Sequence, residues 1–243
     1  MMVYVRKYRR TVIRIGVPYS ASKATPIWLA AVTIPLCFLN LTGFEIRAEA
    51  RANAARDEHE NWKGSTKEHV AFHNNKGARL YDRGHYSDAV REFSAAIRVG
   101  TDLSGVYYNR GNAYFRLRSF KAAVEDYGEA VRLNPRFVMA LANRGNSLSA
   151  LGRLDEALAD FNAAAALESS NPYVLFNRGY VYGKRGDYRL AISDFTKVLE
   201  LDPKDVNALA LRAAAYNAIG ENQKASDDIK KAISLDPMNP RLR

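Results

Sequence analysis

A tripeptide returns at a fixed interval along this chain. Asn109-Arg110-Gly111, Asn143-Arg144-Gly145 and Asn177-Arg178-Gly179 stand 34 residues apart, with Asn75-Lys76-Gly77 one interval earlier and the altered copy Leu211-Arg212-Ala213 one interval later. A constant period of this length argues against a single globular core. Each copy is a small unit that cannot bury its own apolar face, so stability has to come from stacking on its neighbours.

With the last residue of each tripeptide set as the eighth position, the units begin at Val70, Ser104, Val138, Pro172 and Val206. Position twenty is then Ala89, Ala123, Ala157, Ala191 and Ala225, and position twenty-four is Phe93, Tyr127, Phe161, Phe195 and Ile229. Position twenty-seven is small (Ala96, Ala130, Ala164, Val198, Ala232), and position thirty-two is Thr101, Pro135, Ser169, Pro203 and Pro237. Two short helices that cross closely need a residue with little or no side chain at the contact. Gly or Ala at position eight is therefore expected to face Ala at position twenty, with the ring at twenty-four filling the space beside them. Gly84, Gly152, Gly186 and Gly220 supply the left-handed backbone that ends a first helix, and Pro near the end of a unit stops the second. Apolar residues recur at three- and four-residue steps, as in Leu148 and Leu151, then Leu154, Leu158 and Phe161. The spacing predicts an all-α chain of ten helices, paired antiparallel, from Val70 to about Leu235.

This pattern resembles the tetratricopeptide repeat (TPR) over residues 70–239, as five units without insertions: 70–103, 104–137, 138–171, 172–205 and 206–239. Two departures stand out. Position seven is Lys or Arg in every unit where the family usually has Leu, and Arg118 stands where the other units have a turn glycine. The resemblance implies a right-handed superhelical solenoid whose first helices line a concave groove through positions two, five, six, nine, twelve and thirteen. On this sequence those positions give a candidate peptide groove of Asn75, Asn109, Asn112, Asn143, Asn146 and Asn177, with Tyr108, Tyr173, Phe176 and Tyr180. A row of Asn one repeat apart either offers paired donors and acceptors to an extended peptide backbone or bonds within the helix stack. The groove lacks the dense Lys-Asn-Lys-Arg set of a carboxylate clamp. In the last unit, Asn222 and Ser226 replace the apolar residues of positions seventeen and twenty-one, which suits an end unit facing water.

Ahead of the repeats the composition changes. The chain carries 36 basic and 26 acidic residues, a formal +10. Residues 1–44 contain Arg6, Lys7, Arg9, Arg10, Arg14 and Lys23 and no acid, so much of the excess belongs to this region and the repeats are only mildly basic. A nucleic-acid surface wants its basic residues clustered on a folded face, and none is expected here. An uncharged run from Pro26 to Leu41 follows, then Ala48-Glu49-Ala50. A basic stretch, an apolar stretch and small residues two apart are the layout of a secretory signal. The competing reading is an uncleaved anchor, for which about 20 apolar residues are needed, and Ile27 to Phe44 only just reaches that with Pro35 inside. Both readings of residues 1–50 put the repeats outside the cytoplasm, in the periplasm of a bacterium or tethered to its inner membrane. An Arg-rich start also fits an organelle transit peptide. Membrane contact, where the segment is retained, would be through residues 26–44. Residues 51–69 read as a solvated linker of helix-forming composition, broken at Gly64-Ser65-Thr66, with Trp62 free to dock on the first repeat.

No enzyme is legible. His69 and His73 are four apart and could share a helix face, but without a third ligand at suitable spacing they make a poor metal site, and packing is the better reading. Nucleophile elbow, phosphate loop and HExxH signatures are all missing, and Asp155-Glu156, Asp205 and Asp227-Asp228 read as solvated acids at turns or outer faces. Cys37, the single cysteine, rules out an intrachain disulfide. No cofactor or metal is expected. The function implied is a non-catalytic scaffold that holds a peptide or helix of a partner protein. Two alternatives are a structural subunit of an envelope or secretion assembly, and the regulatory arm of an enzyme acting in trans.

Overall fold

The computed structural model describes residues 62–100 and 103–238. The signal or anchor expected in residues 1–50 and most of the linker lie outside the described residues. The described secondary structure is five helix pairs in sequence order. They are α1 (Thr66–Asp82) with α2 (Tyr86–Arg98), α3 (Ser104–Arg116) with α4 (Phe120–Leu133), and α5 (Val138–Ala150) with α6 (Leu154–Leu167). The last two are α7 (Pro172–Arg185) with α8 (Tyr188–Leu201), and α9 (Val206–Ala218) with α10 (Asn222–Leu235). Each helix packs on the next, and α1, α3, α5, α7 and α9 also touch one another in succession. First helices therefore form one continuous layer.

The close crossing differs in detail from the expectation. A Cβ on Gly77 would lie 2.7 Å from the Phe93 ring, on Gly111 2.8 Å from the Tyr127 ring, and on Gly145 3.0 Å from the Phe161 ring. The Ala157 carbonyl is a further neighbour of Gly145, at 3.2 Å. The glycine thus makes room chiefly for the large ring at position twenty-four, not for the alanine at twenty. The fifth unit follows the same logic in reverse, since Ile229 replaces the ring and Ala213 replaces the glycine. Phe93, Tyr127, Phe161 and Phe195 are buried, as are the position-twenty alanines. These side chains form the core running along the stack.

The basic residue at position seven has a structural partner. Arg110 grips Asp126 with Nε and Nη2, both at 2.7 Å. Arg144 holds Asp160, Arg178 holds Asp194 and Arg212 holds Asp228 in the same bidentate way, at 2.6–2.8 Å. Lys76 reaches Glu92 at 2.8 Å. Three arginines also use Nη1 to reach back to the preceding unit, at Ser94, Asn162 and Thr196. In the third unit the equivalent neighbour is Gly128, which has no side chain to offer. Each of these arginines therefore ties its first helix to its own second helix, and three tie it also to the second helix before. The reading of Asp227-Asp228 as solvated needs correction: Asp227 is exposed, but Asp228 is buried under Arg212. Asp205 is also buried and caps α9 through the N–H groups of Asn207 and Ala208, whereas Asp155 and Glu156 are exposed as expected.

At the N-terminal end α1 starts at Thr66, ahead of the first repeat position. Ser65 and Glu68 form a capping box: the Ser65 hydroxyl accepts from the Glu68 N–H and the Glu68 carboxylate accepts from the Ser65 N–H. These reciprocal bonds satisfy donors that a helix start leaves open. The bonds to Ser65 also hold the Glu68 carboxyl below its ordinary pKa. Trp62 folds back and stacks on His69, with ring centroids 4.4 Å apart. At the other end Met238, Leu235 and Ile233 are exposed.

Candidate binding surface

The first-helix layer carries the sequence-predicted groove residues, and hydrogen bonds join many of them across repeats. The Asn109 amide N–H donates to Asn74 Oδ1 at 3.0 Å. Asn143 donates to Asn112 Oδ1 at 2.9 Å and to the Tyr108 hydroxyl at 3.3 Å. Tyr127 donates to Asn112 Oδ1 at 2.7 Å, and Tyr173 donates to Asn143 Oδ1 at 2.8 Å while accepting from Asn146 Nδ2 at 2.7 Å. Asn177 donates to the Tyr173 carbonyl one helical turn back. The result is a polar seam through units two to four, in which each side chain fixes the neighbour one repeat away.

Burial sorts these residues. Asn109 is fully buried, and Asn112, Asn146, Tyr108, Tyr173 and Phe176 are buried as well. Asn75, Asn143, Asn177 and Tyr180 are half-buried and reach solvent. Phe176 packs against Phe195 with centroids 5.7 Å apart. Burial pushes the Tyr108 hydroxyl up to about 12 and raises Tyr127 and Tyr173 further. All three hydroxyls keep their protons at neutral pH and serve as fixed donors. One hydroxyl in the same wall, Ser149 Oγ, is buried without a hydrogen-bond partner. Beside it the Lys184 ammonium donates to the Ser149 carbonyl at 3.3 Å and lies over the Tyr180 ring. This surface offers neutral donors, acceptors and aromatic faces.

The histidines form a separate cluster at the N-terminal end. His69 and His73 place their Nε2 atoms 3.2 Å apart, and His73 Nδ1 lies 2.8 Å from Glu92, which also holds Lys76. Among the described residues no group of three His, Cys, Asp or Glu is arranged to hold a metal ion. Sequence reasoning missed Asn74 and the Tyr127 hydroxyl as members of the polar seam. It also missed the acids of position twenty-three. Their signal was present: a basic residue is followed sixteen residues later by an acid in all five units.

A layered array of antiparallel helix pairs on a 34-residue period, with a concave row of amides and rings, defines an α-helical repeat protein. The chain belongs to the tetratricopeptide repeat family, whose sequence models match residues 108–172, 172–205 and 206–239. Among solved structures, the MamA protein is 19% identical, with 70% of this chain and 93% of that one covered and a TM-score of 0.65. MamA 41-end from Desulfovibrio magneticus RS-1 is also 19% identical, covering 74% of this chain and 99% of its own, with a TM-score of 0.67. YrrB, a TPR protein with an unusual peptide-binding site, is 24% identical over 77% of this chain and 94% of its own, with a TM-score of 0.63. At these identities the likeness is one of fold. No curated protein matches the chain. Among the described residues no helix is long and apolar enough to cross a membrane.

Proposed function

We propose that this protein is a non-catalytic scaffold whose concave face, in a right-handed superhelix, holds a peptide or helix of a partner protein. The observation that carries the reading is the unbroken contact of the five first helices, which sets equivalent side chains one repeat apart on one surface. The polar seam divides the labour. Asn109, Asn112, Asn146, Tyr108, Tyr173 and Phe176 form a rigid floor, while Asn75, Asn143, Asn177 and Tyr180 stand where a ligand reaches them. A floor already fixed by hydrogen bonds has little ordering entropy left to lose on binding. YrrB's peptide-binding site, on the same fold, adds support by analogy only.

The proposal places the scaffold outside the cytoplasm, exported or tethered by residues 1–50, on the basic and apolar pattern of that region. Two experiments test these readings. A photo-crosslinking residue at Tyr180 should capture a partner protein, whereas one at the exposed Leu201 should not; capture from Leu201 alone would place binding elsewhere. A reporter fused after Arg243 should work only outside the cytoplasm, and activity confined to the cytoplasm would overturn the export reading.

A further inference from the structure

The turns joining first to second helices form one edge of the stack, and its charges are treated differently along the length. In units three and four the turn guanidiniums are neutralised. Arg153 is held bidentately by Glu156 at 2.6 Å, and Arg185 pairs with Asp155 at 2.7 Å and with Asp187. In units one and two Arg83, Arg116 and Arg118 have no carboxylate within salt-bridge distance among the described residues, although nearby acids are present. Asp88 is taken by Arg91 and lies 3.8 Å from His85, and Asp82 stands beside Arg83 in sequence. Arg116 instead lies over two rings of the preceding unit, 4.5 Å from the Tyr86 centroid and 6.0 Å from that of Tyr81. Arg118 lies 5.8 Å from the Phe120 centroid. The rings themselves are joined, Tyr81 to Tyr86 at 5.3 Å and Phe115 to Phe120 at 5.4 Å. Leu117, between the two arginines, is 39% exposed.

The backbone adds an independent sign. Arg118 has φ 61°, the left-handed conformation that Gly84, Gly152, Gly186 and Gly220 adopt at the same turn in the other four units. A side chain there is strained, and glycine, which the rest of the chain uses, would remove the strain. Retaining Arg at that position displays a guanidinium on the edge at the expense of stability, a pattern associated with functional sites.

We propose that this edge of units one and two docks an acidic segment of a partner protein. Arg83, Arg116 and Arg118 receive side-chain carboxylates, and Leu117 with the flanking rings receives an apolar side chain between them. A guanidinium whose face rests on an aromatic ring keeps N–H donors at its rim for a carboxylate. A peptide fits better than a uniformly anionic surface because Asp82 and Asp88 stand among the cations and would repel a membrane or a phosphate backbone. The inference rests on the scaffold reading above but uses the turn edge, not the concave face.

The test uses the full chain and a fluorescein-labelled peptide of six glutamates and two leucines, followed by anisotropy at 0.15 M salt. Arg118→Gly should weaken peptide binding at least fivefold while melting at the same temperature as the parent or higher. Arg116→Gln should weaken it comparably. The control Arg153→Gln/Arg185→Gln, which removes as much charge from the neutralised part of the edge, should change affinity less than twofold. Equal losses in control and test variants would reduce the effect to net charge and overturn the proposal. So would displacement of the peptide by phosphatidylserine vesicles or single-stranded DNA at lower charge concentration than by unlabelled peptide. Crosslinking from Tyr180 that persists while Arg118→Gly has no effect on the peptide would leave the groove reading standing and sink this one.

Discussion

Asp194→Ala isolates what the arginine ladder contributes. Arg178 gives Nε and Nη2 to Asp194 at 2.8 and 2.7 Å and Nη1 to Asn162 at 3.0 Å. The two side chains are 17% and 4% exposed, so the pair lies inside the stack with only the outer part of the guanidinium wet. Removing one member of a buried pair strands the other and costs about 3–5 kcal/mol. Because Arg178 keeps Asn162, the Tyr182 ring and some water, the expected loss is at the lower end, about 3 kcal/mol. Replacing both partners by apolar residues should be near neutral or stabilising, so Arg178→Leu/Asp194→Leu should unfold close to the parent despite losing the ion pair. The assay is urea unfolding at pH 7, with the slope checked for constancy so that midpoints report stability. A loss below about 1 kcal/mol for Asp194→Ala, the value of an exposed pair, would refute the reasoning. So would a double variant no more stable than Asp194→Ala alone.

Two further outcomes follow from the packing and the charges. Ala157→Leu should lose about 1–3 kcal/mol in the same melt by overpacking, since Ala157 is fully buried beside the Gly145 crossing; an unchanged melt would contradict the repeat register. For Glu92, burial pushes the carboxyl up, but hydrogen bonds from His73 and Lys76 outweigh it and the pKa ends below the ordinary value. A depressed pKa contributes stability that is complete above the unfolded value of about 4.3 and is lost as pH falls through the lower folded value. Glu92→Gln should therefore flatten the fall in stability below about pH 4.5, and an identical pH profile would count against that linkage.

Much of the architecture was legible because the constraint is local and repeated. A glycine at position eight and a ring at twenty-four fix the close crossing in four units, and their joint change to Ala213 and Ile229 in the fifth confirms from within one chain that they are a matched pair. The partner of the glycine was misjudged because Ala157 and Phe161 lie one turn apart on the same helix face, and spacing alone does not say which is nearer. The ion pairs were missed for a different reason. Position seven was compared with the family's usual Leu, when the relevant comparison was with the acid sixteen residues on. The groove was legible as a row of positions but not as a state of bonding. Whether an Asn amide faces solvent or its neighbour depends on side-chain direction, and Asn109 turned to Asn74 shows the second outcome.

The most direct measurement concerns that row: urea unfolding of Asn109→Ala/Asn143→Ala, with the Tyr180 crosslink read on the same protein. Asn109→Ala leaves the buried Asn74 amide without its donor, and Asn143→Ala removes the acceptor of the Tyr173 hydroxyl and a donor to Asn112. Each unmet buried group costs about 1–3 kcal/mol, so the double variant should lose roughly 2–5 kcal/mol while the chain that remains folded still crosslinks its partner. Stability unchanged within about 0.5 kcal/mol, together with loss of the crosslink, would contradict the account and make the row a ligand surface instead of the seam that holds the repeats in register.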